Sequence, residues 1–386
     1  MAELSPVKKL VLKMSDKELF ELLESGYKRD KGGSAPLRKG KLWFDQPLCG
    51  LNREGLEKLK QLEAEKDNVL SSHVDKKQLR YLKALKKMKL TVPRFFREQI
   101  SPRTLYRRLD DFCVKHDIPR EIVSRVVPLL ISYIETGHMR PVIFVGEKGC
   151  GKTTMVRMLI EEALQLPVEI VKVPQLDGGQ GLTGYCGVYT AADAGCLAKA
   201  RFRANTLLVV YLFDEVDKAT PTTNHASLEH ELLSVTDESN DSIYDNYLET
   251  TLVGLQYCPM FMTANDLRDI DPVLADRCTI IHFPNADADR IKSITRKYVN
   301  KKLRSSLYGL ISFDYELMDR SVDCLLSHNI SSLRRHQQMV EVALEYALDK
   351  ALQQREDTGN PLPMTEDMFA DAVQSVLGSV KRSVGF

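Results

Sequence analysis

Residues Gly146-Glu147-Lys148-Gly149-Cys150-Gly151-Lys152-Thr153 spell the pattern G-x-x-x-x-G-K-[ST], and they follow directly on the apolar run Val142-Ile143-Phe144-Val145. Such a loop works only between a buried strand and the start of a helix. Its glycines let backbone N–H groups wrap an anion in conformations that a Cβ would obstruct, and the positive end of the following helix faces the same anion. Thr154-Met155-Val156-Arg157-Met158-Leu159-Ile160 continues as that helix. Strand, loop and helix therefore occur in the required order. The reading assigns Gly146, Glu147, Lys148, Gly149, Cys150, Gly151, Lys152, Thr153 and Thr154 to the phosphates of a nucleoside triphosphate. Lys152 adds a point charge at the β- and γ-phosphates, and the Thr153 hydroxyl is offered to Mg²⁺. The implied cofactors are ATP and Mg²⁺.

The rest of the pattern fits an α/β protein. Apolar runs at 142–145, 168–173, 206–213, 258–263 and 279–283 alternate with helical stretches, which predicts a parallel five-stranded sheet sandwiched by helices. After Pro284 the strands stop, and helical periodicity over 286–306, 313–328, 331–353 and 365–380 predicts an all-helical lid. Upstream, 5–30 and 51–90 read as helical around a Gly/Pro/Ser loop at 31–40, and two more helices are expected at 103–116 and 120–136. The expected domains are a basic helical N-terminal region (1–100), a nucleotide-binding core with leading helices (101–285) and the lid (286–386).

The third strand run ends in Leu212-Phe213-Asp214-Glu215, a carboxylate pair at the carboxyl end of a buried strand, where open α/β sheets bind ligands. Two acids there have separable tasks: Asp214 holds the metal through water, and Glu215 orients and deprotonates the attacking water. The fourth run delivers Asn265, whose amide is placed to sense the γ-phosphate. Arg277 stands immediately before the fifth run, where it is expected to reach a neighbouring subunit's nucleotide. A surface ion pair to Asp276 or Asp271 is the competing account of Arg277.

Bulk properties narrow the setting. Of 386 residues, 43% are hydrophobic and 28% charged, ordinary for a globular chain, and no apolar run approaches the roughly 20 residues of a membrane span. A cytoplasmic protein without membrane contact is expected. Eight cysteines occur without any C-x-x-C pair, which favours reduced thiols over disulfides or zinc sites. The net charge of +1 conceals an asymmetry: residues 1–100 carry 23 Lys+Arg against 14 Asp+Glu, leaving 31 against 39 for the remainder. The basic region reads first as solvated amphipathic helices and second as a surface for nucleic acid.

These parts in this order resemble the AAA+ ATPases, and among them the ATPase module of the Lon family. Gly184-Tyr185-Cys186-Gly187 is similar to Lon's aromatic pore loop. Leu232-Leu233-Ser234-Val235-Thr236-Asp237 followed by Asp245-Asn246-Tyr247-Leu248-Glu249 resembles its D-x-Y-L-E stretch. Ala264-Asn265 and Leu274-Ala275-Asp276-Arg277 resemble its sensor and arginine-finger segments. The likeness runs from about 120 to about 345 and leaves the first hundred residues without a counterpart.

The resemblance implies a homo-oligomeric ring, expected to be a hexamer, in which Arg277 acts in trans and Tyr185 grips a polypeptide in a central channel. It implies ATP hydrolysis coupled to unfolding, translocating or remodelling protein substrates, a chaperone-like role, with the N-terminal region choosing client or adaptor. Two departures are visible. Ser331 stands where Lon-like lids place an arginine, with Arg334 and Arg335 one turn on, and the sequence ends at Phe386 without a Ser–Lys peptidase, so no protease activity is expected. The alternative functions are a nucleic-acid-linked AAA+ ATPase, such as a loader or mobile-element ATPase, and a nucleotide-dependent assembly switch.

Overall fold

The protein is described by a computed structural model over residues 48–67, 75–90, 102–186, 192–219, 228–237, 243–353 and 361–383. The expected helix at 5–30 and loop at 31–40 lie outside these residues. Two units make up the chain. The first contains the chain up to Val114, Ile118–Val145 and Thr153–Ile281, and the second contains Lys115–Asp117, Gly146–Lys152 and His282–Phe386.

The first unit is built on a parallel five-stranded sheet. Its strands are β1 (Val142–Val145), β2 (Val168–Lys172), β3 (Val210–Asp214), β4 (Met260–Ala264) and β5 (Thr279–His282), in spatial order β2-β3-β4-β1-β5. Val142, Ile143, Phe144, Tyr211, Leu212, Phe213, Phe261 and Met262 are all buried. Strands covered on both faces read as continuous apolar runs rather than alternating ones, which is how the sequence reads here. The register aligns Val145 with Ala264 and Phe213 with Met262, so the carboxyl ends of β1, β3 and β4 reach one edge together.

The apolar run at 206–213 becomes strand only from Val210. Asn205 takes a left-handed conformation (φ 51°) at the end of helix Cys196–Ala204, and the Thr206 hydroxyl accepts from the Leu208 N–H at 3.3 Å. The buried residues 207–209 are therefore a connection. Helix Arg120–Thr136 ends as the sequence predicts, with Gly137 at φ 79° donating its N–H to the Tyr133 carbonyl at 2.8 Å.

Among the described residues of 51–90 lie two helices, Arg53–Asp67 and Lys76–Lys87, flanked by a two-residue antiparallel pairing of Leu48–Cys49 with Lys89–Leu90. They are held by a hairpin the periodicity did not announce, Ile243–Asp245 with Thr250–Leu252. The D-x-Y-L-E stretch is its turn. The Tyr247 hydroxyl donates to Asp75 at 2.6 Å, the Gln78 amide to the Tyr247 carbonyl at 2.5 Å, and Lys58 pairs with Glu249 at 2.7 Å. No described helix is long and apolar enough to cross a membrane.

The second unit is helical as expected, with helices Ala288–Lys302, Tyr315–Ser327, Leu333–Gln353 and Glu366–Ser383 around a core that includes Ile291, Val299, Val322, Val340, Ala343 and Phe369. Asp287 and Asp314 cap the first two by accepting from N–H groups in the first turn. One short parallel pairing, Ile311–Ser312 with Leu362–Pro363, departs from the all-helical expectation. Asp117 joins this unit through Ser293 (2.8 Å) and Lys297 (2.5 Å).

Candidate functional site

The phosphate loop is shaped by two left-handed glycines, Gly149 (φ 84°) and Gly151 (φ 98°), and by close packing at Gly146, where a Cβ would meet the Phe283 carbonyl oxygen at 2.6 Å. Lys152 is buried, and its ammonium donates back to the Gly146 and Glu147 carbonyls at 2.6 and 2.9 Å. The loop also meets the start of helix Leu333–Gln353. The Leu333 N–H donates to the Gly149 carbonyl at 3.1 Å, and the Ser331 hydroxyl donates to the Glu147 carboxylate at 3.3 Å.

Ser331 thus binds the loop itself. Arg335 turns into the lid, donating to Gln338 and Ser379 at 3.0 Å each, and Arg334 is exposed. A different arginine lies by the loop. The Arg290 guanidinium sits 5.4 Å from the Phe283 ring centre, and its Nε and Nη1 are buried without a hydrogen-bond partner among the described residues. Burial holds its pKa below the usual arginine value, with Cys150, Asp287 and Asp117 opposing. Burial also pushes the Cys150 thiol up, against the pull of Lys152.

The acid pair belongs to the first unit. Thr153 donates its hydroxyl to Asp214 Oδ1 at 2.5 Å, and Thr263 donates to the same oxygen at 2.6 Å. The Thr263 hydroxyl in turn accepts the Glu215 N–H at 3.1 Å. Glu215 itself adopts a left-handed backbone conformation (φ 60°), unusual for a residue with a side chain and a form of strain found often at functional sites. Its carboxylate pairs with Lys218 at 2.9 Å. Asn265 donates from its amide to Asp217 Oδ2 at 3.0 Å, while Asp217 Oδ1 is buried without a partner among the described residues.

Arg277 stands apart from this cluster's hydrogen bonds. It ends helix Pro272–Arg277, which Asp271 caps by accepting from Val273 and Leu274 N–H groups and which Arg140 closes by donating to the Asp276 and Arg277 carbonyls. Neither of the two nearby acids takes the Arg277 guanidinium. It donates to the Leu233 carbonyl and pairs with Asp237 at 3.1 Å, the two side chains being 32% and 35% exposed.

Tyr185 is half-buried, with its hydroxyl donating to Asp177 at 2.8 Å and its N–H to the Asp193 carbonyl at 3.0 Å. Burial and Asp177 push its pKa up to about 12. The stem of this segment rests on the hairpin: Asn246 donates its N–H to the Thr183 carbonyl at 2.7 Å, and Asp245 accepts the Gly195 N–H at 2.9 Å. Gly187 lies outside the described residues.

The donor set fits the groups the sequence implies. A threonine hydroxyl and a carboxylate already sharing one hydrogen bond are hard oxygen ligands suited to Mg²⁺. Buried guanidinium N–H groups without a hydrogen-bond partner among the described residues, beside a loop with two left-handed glycines, suit an anion. Thr263, Asp217, Asp237, Arg140 and Arg290 were not among the predicted site residues. Thr263 had a legible signal, as the one hydroxyl in the otherwise apolar β4.

Comparison with known proteins agrees with this construction. The model of the ATPase family associated with various cellular activities (AAA) matches residues 142–285. The Lon protease of Methanosphaera stadtmanae is 28% identical over 267 residues, covering 68% of this chain and 31% of the relative. The mitochondrial Lon protease homolog 1 of Dictyostelium discoideum is 29% identical over 180 residues, 45% of this chain and 18% of the relative. The chain thus spans about a third or less of the length of these relatives. Among solved structures, a closed-state cryo-EM reconstruction of Hsp104 with ATPyS and FITC casein shares the fold, with a TM-score of 0.53 at 16% identity over 67% of this chain and 50% of that one. Residues 142–285 therefore match the AAA ATPase family, and the chain is similar to these Lon proteases.

Proposed function

We propose that this protein binds and hydrolyses ATP with Mg²⁺ and uses the energy to remodel, unfold or translocate protein substrates as a homo-oligomeric ring. In this reading residues 1–100 select the client, 101–285 form the motor core and 286–386 the lid. The observation that carries it is the Thr153–Asp214 hydrogen bond at 2.5 Å, at the end of a phosphate loop, with Glu215 next in the chain.

Each residue has a task that its surroundings favour. The loop N–H groups and Lys152 hold the phosphates, for which Lys152 exchanges its loop carbonyls for phosphate oxygens. Thr153 and Asp214 hold the metal, which when bound neutralises charge on the β- and γ-phosphate oxygens. Glu215 leaves Lys218, orients water and accepts its proton as the oxygen attacks the γ-phosphorus and the bond to the β–γ bridging oxygen breaks, releasing ADP and inorganic phosphate. Asn265 orients the same water or the γ-phosphate. Arg277, released from the half-exposed Asp237, stabilises negative charge on the transferring phosphoryl group of a neighbouring subunit.

Tyr185 supplies a broad apolar face with a polar tip, suited to pressing on a polypeptide without reading its sequence. Its anchoring to the hairpin through Thr183 and Asn246 gives a route by which movement of the core reaches it. Turnover assays test the reading: unfolded protein should raise the ATP hydrolysis rate of the purified chain, and Tyr185→Ala should abolish that rise while leaving basal hydrolysis intact. A rate indifferent to unfolded protein would refute the remodelling role.

A further inference from the structure

Helix Lys76–Lys87 carries Lys76, Lys77, Arg80, Lys83, Lys86 and Lys87 and no acid. Positions 76, 80, 83 and 87 fall on one helical face, running about 16 Å at roughly 1.5 Å per residue. With Lys66 from the neighbouring helix they line a cleft of about 680 Å³ whose floor includes Leu79 and Phe202. Like charges at these spacings repel and weaken the helix that bears them. This helix is nevertheless firmly held, with Leu79, Leu82 and Leu85 buried and Asp75 capping its first turn.

The charges are not all spent internally. Lys77 pairs with Asp193 at 2.9 Å and Lys83 with Glu63 at 3.1 Å, whereas Lys66, Lys76, Arg80 and Lys87 are exposed. The apolar side chains that line the cleft are already engaged within the chain. Leu79 is already buried, and Phe202 is covered by the Arg80 guanidinium, 5.2 Å from its ring centre, and by the ring of Tyr81 at 4.6 Å. What remains is a row of cationic heads on a rigid support, complementary to a strand with regularly repeated negative charge.

We propose that this cleft binds the phosphodiester backbone of a nucleic acid strand, with Lys66, Lys76, Arg80 and Lys87 meeting about four phosphates and no base being read. The site is separate from the nucleotide chemistry above and stands or falls independently of it.

Fluorescence anisotropy of the full chain with a labelled single-stranded DNA of about 20 nucleotides tests the proposal. Between about 50 and 200 mM salt, log affinity should fall against log salt with a slope near −3, about 0.7 for each of four phosphates. The triple variant Lys76→Glu/Arg80→Glu/Lys87→Glu should weaken binding more than about tenfold and flatten the slope by about 2. Neutral Lys76→Gln/Lys87→Gln should fall between. A charge-matched control, Lys301→Glu/Arg304→Glu/Arg320→Glu, should bind within about twofold of the parent. Thermal melts establish that all variants are folded. Unlabelled RNA of equal length competes if the backbone alone is recognised, while stronger competition by DNA identifies the deoxy strand, and either result supports the site. Equal losses in the cleft and control triples, unchanged binding in the cleft triple, or displacement by polyglutamate as effective as by nucleic acid would overturn it.

Discussion

Thr263 donates to Asp214 at 2.6 Å while accepting the N–H of Glu215 at 3.1 Å, so one strand hydroxyl fixes both members of the acid pair. Thr263→Val keeps the shape and removes the hydroxyl. It should lower ATP turnover by about 10–100-fold, the usual effect of losing a group that orients metal ligands. It should also cost about 1–3 kcal/mol of stability, because the part-buried Glu215 N–H and Asp214 carboxylate each lose a hydrogen bond. Thr263→Ser should restore turnover, which steady-state assays of the two variants will check.

Lys152→Ala should abolish ATP binding, measured by calorimetry or a fluorescent ATP analogue. The substitution removes the buried ammonium at the helix start that donates to the Gly146 and Glu147 carbonyls. Normal affinity would remove Lys152 from the phosphate site.

Arg277 and Asp237 make separable predictions. Arg277→Ala should retain ATP affinity and lose about 10³–10⁵ in turnover if it stabilises the transferring phosphoryl group. Asp237→Asn, which weakens the hold on the guanidinium, should leave turnover equal to the parent or raise it. Mixing Arg277→Ala with Glu215→Gln should recover part of the activity, because finger and base then come from different chains. Absence of recovery at every mixing ratio would place Arg277 within its own subunit.

Asp245 gives a pH signature. It is fully buried and accepts N–H groups of Gly195, Tyr247 and Leu248, yet burial outweighs them and raises its pKa to about 6 from 3.8. A carboxyl whose folded pKa is raised favours the folded state most when protonated. Its contribution is complete below about pH 3.8 and is lost as pH rises through about 6, a change of about 3 kcal/mol. Urea denaturation of the parent and Asp245→Asn from acidic to neutral pH should show the parent losing stability relative to the variant over that window. Parallel curves would contradict the shift.

The loop, the acid pair and the five strands were legible because each needs only contiguous residues: a glycine pattern, or an apolar run closing on acids. What escaped was set by partners distant in the chain. Arg277 reaches Asp237, forty residues away, rather than Asp271, whose carboxylate caps the start of the same helix, or its chain neighbour Asp276. The hairpin around Asp245-Asn246-Tyr247-Leu248-Glu249 has strands of three residues, too short for alternation to register, and its turn places Glu249 at φ 51°. Arg290 read as one more charge on a lid helix. Only the fold shows that two of its nitrogens are buried without hydrogen-bond partners among the described residues.

The most direct test of the account is the comparison of ATP binding and turnover in the parent and Glu215→Gln. The account predicts unchanged or tighter ATP binding with turnover reduced by at least about 10²-fold, since the amide can hold water but accepts no proton. A Glu215→Gln protein that hydrolyses ATP at the parental rate would contradict it.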